Sequence, residues 1–377
     1  MALRSFALQR RDRALVLVAL LLGGITGCGG GSVGDADSST PSTTISARPS
    51  TSIEVNSTTP STSTSTSSTS TSIPADFEPY GDAAPAVPAA GEVTDEWVET
   101  PDGRRRHFRL YVPSSYRPDQ SAPLLIALHG GLGTSDQFAT NSGFDDLAES
   151  NGFIVVYPDG IRAISDRPGL QTWNGGYCCG PAANKNVDDV GYLDFLLDLL
   201  EERFAIDSSR VFAAGHSNGA IMAYRLACEL SDRVVAIGVQ AGSLGIDECT
   251  PSHPVALLHV HGLADTNHPI DGGVGSGVSG VEFRSGREAV RTLAELNECG
   301  VEPTVVKVPS NPDLEVSTWS ECAGGADVRL ITVDGASHAW MGHAGASEAA
   351  AGLVGEPYPD FDSSRAIWAF LADHPRN

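Results

Sequence analysis

The sequence predicts an α/β fold, with a mostly parallel central sheet, an N-terminal antiparallel hairpin and helices on both faces. From about residue 93 onward, apolar strand-like runs alternate with amphipathic helical segments, as in parallel sheets buried on both sides. The strands predicted after the hairpin are Leu124–Leu128, Phe153–Tyr157, Val211–Ala214, Val234–Gln240, Val255–Val260, Thr304–Val308 and Val328–Val333. The predicted helices are Asp136–Ser150, Asp189–Phe204, Ala220–Leu230, Gly286–Asn297 and Ser363–Ala372.

The hairpin is predicted from two strand-like segments around a turn. Trp97 to Thr100 leads into Pro101-Asp102-Gly103, and Arg106 to Pro113 then alternates apolar and polar side chains, as a half-buried strand does.

Composition limits the partners that the chain can have. Its 377 residues include 47 Asp and Glu against 24 Lys and Arg, for a net charge of -23. Nucleic-acid phosphates need a basic surface, so we expect no nucleic-acid partner.

The first 28 residues have the pattern of a targeting segment. Four arginines precede the apolar run Ala14 to Leu22, which is too short to be a permanent membrane span. Ile25-Thr26-Gly27-Cys28 then resembles a bacterial lipoprotein signal, in which the cysteine is lipidated and anchors the protein to a membrane. An ordinary secretory signal is the alternative.

Residues 29–92 are predicted to be a disordered tether. The stretch is rich in Ser, Thr and Pro, and Ser61 to Ser72 contains nothing but Ser and Thr. Such a segment buries too little apolar surface to offset the entropy of ordering. We therefore expect one folded domain over residues 93–377, with the membrane contacted only through the lipid anchor.

A candidate nucleophile lies in Gly215-His216-Ser217-Asn218-Gly219, which matches the G-x-S-x-G pattern. A predicted strand precedes it and a predicted helix follows, the context in which a serine occupies a sharp turn. Glycines on both sides avoid side-chain clashes in so tight a turn. The alternative is a small-residue turn without catalytic function.

A serine that attacks an ester needs hydrogen-bond donors for the developing oxyanion. The amide of the residue after the serine, Asn218, is one expected donor, and an early strand-to-helix loop supplies the other. His129-Gly130-Gly131-Leu132-Gly133 is that loop, and Gly131 is the predicted donor, with Leu132 as its rival. The alternative is a glycine-rich turn that donates nothing.

Two further strand ends offer an acid and a base. Asp265 follows the strand that ends near Val260, and Asp247 and Asp271 are its rivals on less constrained loops. His338 follows the last strand, and the order serine, aspartate, histidine is the one expected of this architecture.

Four other histidines need separate interpretations. His343 and His268 are competitors of His338 for the role of base. His259 and His261 are expected to pack in or beside the sheet.

The motifs together resemble the secreted esterase group of polyhydroxybutyrate depolymerases and feruloyl or acetylxylan esterases, over roughly Trp97 to Ala372. The residues that carry the resemblance are His129-Gly130-Gly131, Gly215–Gly219, His261-Gly-x-x-Asp265, Gly335-x-x-His338-x-Trp340, Trp173–Gly180 and Val187–Gly191. The resemblance implies an α/β-hydrolase fold, ester hydrolysis, export and no cofactor.

Two departures from that group bear on the substrate. Met341 replaces the usual proline, and no linker and substrate-binding module follow the last helix. Both argue against a solid polymer, so depolymerase activity proper is the alternative to feruloyl, acetyl-carbohydrate or short hydroxyalkanoate esters. A serine peptidase and a non-catalytic binding domain of the same fold are further alternatives.

Aromatic and histidine side chains near these motifs are candidates for the substrate pocket. They are His129, Trp173, Tyr177 and Trp340. Core packing is the competing interpretation for the aromatic residues.

Six cysteines besides Cys28 are expected to form disulfides in an exported domain. Cys299 and Cys322 are predicted to pair, since they flank one strand-and-loop excursion. Cys178, Cys179, Cys228 and Cys249 would then pair among themselves, in a pairing that the sequence leaves open. One option is a bridge through Cys228 or Cys249 that ties the Trp173–Gly180 loop to the nucleophile helix. Adjacent thiols make a poor zinc site, so no metal is expected.

Two motifs are set aside. Gly275–Gly280 fits G-x-G-x-x-G but lies in a loop, where the dinucleotide interpretation fails. Asp188 and Asp189 are interpreted as a helix cap and dipole partner instead of a metal pair.

Overall fold

The computed structural model describes residues 89–162, 169–277, 279–343 and 348–376. The predicted targeting segment, Cys28, the tether up to residue 88 and Val278 of the glycine-rich motif lie outside the described residues.

The described chain alternates strands and helices. The strands are β1 (Val93–Glu99), β2 (Arg105–Tyr111), β3 (Ala122–Leu128), β4 (Ile154–Pro158), β5 (Ile161–Arg162), β6 (Gln171–Thr172), β7 (Ile206–His216), β8 (Ala236–Gln240), β9 (Ala256–Gly262), β10 (Gly273–Val274), β11 (Glu282–Phe283), β12 (Thr304–Lys307), β13 (Leu314–Trp319) and β14 (Val328–Val333). The helices are α1 (Ser135–Ser142), α2 (Phe144–Asn151), α3 (Gly180–Asn184), α4 (Asp189–Arg203), α5 (Asn218–Glu229), α6 (Gly286–Leu296), α7 (Glu348–Val354) and α8 (Ser363–Ala372).

Ten strands form one sheet in the order β1-β2-β4-β3-β7-β8-β9-β14-β13-β12. The central run from β4 to β14 is parallel, and the β1-β2 hairpin and β12-β13 add antiparallel strands at the two edges. The predicted fold class is confirmed.

Both faces of the sheet are covered, as the fully buried strand β3 shows. Leu124, Ile126 and Leu128 belong to the apolar cluster that includes residues of α4, α5 and α6. Leu125 and Ala127 point the other way, into the cluster that includes residues of α1, α2 and α8. Among the described ranges, no helix is long and apolar enough to cross a membrane.

The prediction of one helix over Asp136–Ser150 was wrong, because the structure has two helices there, α1 and α2. Gly143 ends α1 and precedes α2 in the left-handed conformation, with φ of 62°, and its N–H donates to the Ala139 carbonyl. A side chain there would also meet the His343 ring. The left-handed residue separates two short helices because it cannot continue the first.

The predicted strand Thr304–Val308 corresponds to β12, but it is not part of the buried parallel sheet. It is exposed along its whole length and pairs antiparallel with β13, a strand that the sequence analysis did not identify. The polar residues in the middle of β13 hide its strand character from a search for apolar runs.

The cysteines pair as Cys299–Cys322, Cys228–Cys249 and Cys178–Cys179. The first pair is the one predicted from the sequence. The structure excludes the option of a bridge between the 173–180 loop and the nucleophile helix, since Cys178 pairs with Cys179. Cys228 of α5 instead binds Cys249, whose Cα lies 4.9 Å away.

Candidate active site

Ser217 occupies the turn between the central strand β7 and helix α5. Its backbone is in the positive-φ region, with φ of 55° and ψ of -117°. A Cβ on Gly215 would overlap the Gly219 carbonyl, and a Cβ on Gly219 would overlap the Leu128 carbonyl. The two glycines therefore allow the turn to lie against the end of β3, and Ser217 stays partly exposed.

Three strand ends bring a serine, a histidine and an aspartate together. Ser217 Oγ lies 2.9 Å from His338 Nε2, and His338 Nδ1 lies 2.6 Å from Asp265 Oδ2. The three residues follow β7, β14 and β9, whose carboxyl ends meet at one edge of the parallel sheet, where ligands bind in open α/β folds. The arrangement has the hydrogen bonds that a general-base-activated nucleophile requires.

Asp265 is held in place as an anion. Its Oδ1 accepts the backbone N–H groups of Asn267 and His268, both at 2.9 Å. Burial opposes ionisation, but the hydrogen bond from His338 and the other polar contacts outweigh burial and lower the pKa of Asp265.

The structure gives the rival acids other partners. Asp247 pairs with Arg284 and Asp271 pairs with Arg287, and both carboxylates are exposed.

The rival bases are also engaged elsewhere. His343 lies 3.3 Å from Asp362, and the ring of His268 is buried and stacked on Phe283, with ring centroids 4.2 Å apart.

His259 and His261 lie fully buried behind the acid. Tyr224 Oη lies 2.7 Å from His259 Nδ1, and His259 Nε2 lies 2.9 Å from His261 Nδ1. His261 Nε2 then reaches the His268 carbonyl at 2.8 Å and lies 3.6 Å from Asp265 Oδ2. The pair thus packs in the sheet, and it also supports the turn that holds Asp265.

The loop after β3 lies directly beside Ser217. A Cβ on Gly131 would lie 3.5 Å from Asn218 Cβ, and one on Gly130 would lie 3.5 Å from Ser217 Cβ. The Leu132 N–H donates to the Gln171 carbonyl at 2.7 Å, whereas the N–H groups of Gly131 and Asn218 have no hydrogen-bond partner in the described part of the chain. Gly131 is therefore better placed than Leu132 to donate to a ligand.

Three of the four pocket candidates are core residues in this structure. His129 and Trp173 are fully buried, and Trp340 packs edge-on against Phe138 while its indole N–H donates to Ser364 Oγ at 2.9 Å. They support the site from behind and do not line its surface.

Tyr177 is the one pocket candidate that is partly exposed. Its hydroxyl lies 2.8 Å from Ser243 Oγ, and the guanidinium of Arg284 lies 5.1 Å from the centre of its ring.

Two contacts at the site had no signal in the sequence. Burial lowers the pKa of His216 to about 3, so its neutral ring donates Nε2–H to the His338 carbonyl at 2.7 Å. The Asn218 side chain pairs with the backbone of Trp173, through bonds of 2.7 and 3.0 Å. Both depend on contacts that are distant in the chain.

The adjacent aspartates have different functions. Asp188 caps α4 by accepting the Gly191 N–H at 2.8 Å, as predicted. Asp189 lies in the first turn of α4, where an acidic side chain complements the helix dipole, and it is also fully buried and paired with Arg106 at 2.5 Å. Within the described ranges, no group of three or more His, Cys, Asp or Glu side chains could hold a metal ion.

Comparison with known proteins finds esterases among the similar sequences. A family model described as a putative esterase matches residues 100–268. Feruloyl esterase B of Piromyces equi is 30% identical over 241 residues, which are 62% of this chain and 42% of that protein. A bifunctional acetylxylan esterase/xylanase of Neocallimastix patriciarum is 24% identical over 239 residues, 63% of this chain and 31% of that protein.

The chain thus spans less than half the length of these two relatives. A solved acetyl xylan esterase from Aspergillus awamori covers 66% of this chain and 94% of its own, with 17% identity and a TM-score of 0.49. The resemblance to the feruloyl and acetylxylan esterase group, first seen in the motifs, is confirmed by the family model and the curated relatives.

Proposed function

We propose that this protein is a serine carboxylic-ester hydrolase that acts through an acyl-enzyme. The observation that carries the proposal is the relay from Ser217 Oγ through His338 to Asp265, with hydrogen bonds of 2.9 and 2.6 Å. The proposed substrates are feruloyl or acetyl esters of carbohydrates, in keeping with the names of the two curated relatives. Short hydroxyalkanoate esters are proposed beside them on the resemblance of the sequence motifs alone.

In the first half-reaction, Ser217 Oγ attacks the ester carbonyl carbon while its proton moves to His338 Nε2. Asp265 accepts Nδ1–H from the resulting imidazolium, which stabilises the positive charge and keeps the ring oriented. The tetrahedral intermediate then collapses, its C–O bond to the alcohol breaks, and the leaving oxygen takes the proton from Nε2.

In the second half-reaction, water loses a proton to His338 Nε2 and attacks the acyl carbon. Collapse of this second intermediate breaks the bond to Ser217 Oγ, which recovers the proton, and the carboxylic acid leaves. The backbone N–H groups of Gly131 and Asn218 are the proposed donors to the oxyanion in both steps.

Turnover of p-nitrophenyl butyrate, with Ser217→Ala as the inactive variant, tests the proposal. Ser276→Ala is a matched control, because that exposed serine bonds to Thr266 instead. Covalent labelling of wild type by a serine-directed phosphonate is expected, and labelling that persists in Ser217→Ala would contradict the assignment. Rates on methyl ferulate, acetylated xylan and hydroxybutyrate oligomers then identify the ester class and test depolymerase activity.

We also propose export and lipid anchoring at Cys28, supported by the lipoprotein-like sequence Ile25–Cys28. A palmitate analogue should label wild type and not Cys28→Ala. Equal labelling of both proteins would count against an anchor at Cys28.

A further inference from the structure

Trp173 connects the two segments that carry the proposed oxyanion donors. Its backbone N–H donates to Asn218 Oδ1 at 2.7 Å, and its carbonyl accepts Asn218 Nδ2–H at 3.0 Å. Its indole N–H donates to the His129 carbonyl at 3.1 Å, two residues before Gly131. One fully buried residue thus contacts both sides of the site.

The residues just before Trp173 reinforce this connection. The Leu132 N–H donates to the Gln171 carbonyl at 2.7 Å, and the Gln171 N–H donates to the Gly133 carbonyl at 3.3 Å. Three hydrogen bonds therefore fasten the segment Gln171–Trp173 to the glycine loop, on both sides of the free N–H of Gly131.

A buried ion pair supports the segment from behind. Asp189 Oδ2 accepts the Asn174 N–H at 2.7 Å, and its other oxygen pairs with Arg106 at 2.5 Å. The Arg106 guanidinium also lies 4.1 Å from the ring centre of Tyr192. These contacts are out of water, which makes each polar bond strong and its loss costly.

We infer that the side chains of Asn218 and Trp173 are positioning residues that hold the Asn218 and Gly131 N–H groups at the spacing an oxyanion requires. The inference rests on the proposed function and adds an assignment to it. Donors act well only when they are already aimed at the developing charge, so a shift of about 1 Å between them would slow the chemical step.

A merely structural role makes a different prediction. If the contacts only hold the 171–180 loop, breaking them would lower stability but leave the chemical rate of the folded enzyme unchanged. If they position the donors, kcat falls while KM changes little, because the lost interaction is made mainly in the transition state.

Asn218→Asp is the decisive variant, since it keeps the shape but turns the Nδ2 donor into an oxygen that faces the Trp173 carbonyl. Asn297→Asp is its matched control. Asn297 holds Val255 in the same way, with bonds of 3.1 and 2.8 Å to its N–H and carbonyl, before strand β9 begins. The control reports the stability cost of such a change away from the catalytic edge of the sheet.

We expect Asn218→Asp to lower kcat for p-nitrophenyl butyrate by about 10- to 100-fold with KM within about threefold, somewhat less than the loss of an oxyanion donor itself. Binding of a trifluoromethyl ketone, which mimics the oxyanion, should weaken by a similar factor. Trp173→Phe keeps most of the ring and removes the indole donor, so it should show a smaller loss of the same kind, while Asn297→Asp keeps the wild-type kcat.

Unchanged kcat in folded Asn218→Asp and Trp173→Phe would overturn the inference, and so would a loss that the ketone affinity does not follow. Should Asn218→Asp fail to fold, Trp173→Phe alone decides in the same way. The proposed function fails differently: wild type would then neither hydrolyse the ester nor bind the ketone, and the positioning role would fall with it.

Discussion

His261 donates its Nε2–H to the carbonyl oxygen of His268 across 2.8 Å. This bond determines which ring nitrogens carry protons in a buried series of hydrogen bonds that runs back to His259 and Tyr224. A carbonyl only accepts, so Nδ1 of neutral His261 is bare and accepts Nε2–H from His259 at 2.9 Å. His259 Nδ1 is then bare in turn and accepts the hydroxyl proton of Tyr224 at 2.7 Å.

The rings are neutral because burial lowers their pKa values, to about 4 for His261 and well below the usual value for His259. This series of hydrogen bonds ends at the catalytic edge of the sheet, because the backbone N–H of His268 donates to Asp265 Oδ1. The tautomers of two buried histidines are thereby tied to the turn that holds the acid.

Tyr224→Phe is expected to destabilise the fold by about 1–3 kcal/mol, because His259 Nδ1 would lose its donor at a fully buried position. The turn at Asp265 keeps its own bonds, so kcat should stay within about twofold. Urea unfolding and ester turnover measure the two effects. A variant as stable as wild type would contradict the assigned proton positions.

The free energy of unfolding should fall as the pH falls from about 6.5 toward 4. Unfolded histidine has a pKa near 6.5, whereas that of folded His261 is about 4, so the unfolded chain binds more protons in this window. His261 alone then contributes up to about 1.4 kcal/mol per pH unit.

The contribution of His107 to the free energy of unfolding changes with pH in the opposite direction. Burial opposes its charge, but the hydrogen bond to Asp159 outweighs burial and raises its pKa, so its contribution is complete below 6.5 and is lost as pH rises through the folded pKa. Urea unfolding at several pH values tests the His261 prediction. Below pH 6.5, the free energy of unfolding of His261→Gln should fall less steeply with pH than that of wild type, because glutamine cannot bind the proton. Equal slopes for the two proteins would refute the lowered pKa of His261.

Asp265→Asn is expected to lower kcat by roughly 10⁴-fold. The amide would donate to His338 Nδ1, which places the ring proton on Nε2 and leaves Ser217 without a base. Asp247→Asn, at an exposed carboxylate paired with Arg284, is the matched control and should retain wild-type turnover. A comparable loss in both variants would reject Asp265 as the acid.

Arg106→Met is expected to destabilise the fold by about 3–5 kcal/mol, because it leaves Asp189 as a buried charge without its partner. Arg104→Met removes an ion pair with Asp102 in which both side chains are substantially exposed, and should cost less than about 1 kcal/mol. Thermal or urea unfolding compares the two. Equal costs would mean that Asp189 finds another partner.

Apolar runs in the sequence predicted the central strands well, because burial on both faces leaves nearly continuous hydrophobic segments. The ends of these apolar runs also placed Ser217, Asp265 and His338 just after predicted strands. In the structure the three side chains form one series of hydrogen bonds. Their catalytic roles stay a prediction, which rests on chain order, on their positions at strand ends and on this geometry.

Features decided by contacts between distant segments could not be predicted. The break at Gly143 depends on a left-handed conformation and on a close approach to His343, neither of which interrupts the helical periodicity. Trp173 is core, not pocket, because its loop pairs with Asn218, and residue type alone does not distinguish a buried indole from one at a pocket rim.

The separation of the relay along the chain has a kinetic consequence. Its two hydrogen bonds join residues 121 and 73 positions apart. The strands before Asp265 and His338, β9 and β14, are adjacent in the sheet, and β8 and β9 lie between β14 and β7, the strand before Ser217. Loops of that length close late, after local pairing has formed. A refolding chain should therefore regain helical circular dichroism before it regains ester turnover. Partly folded molecules would contain Ser217 without its hydrogen bond to His338, and they would not hydrolyse the ester.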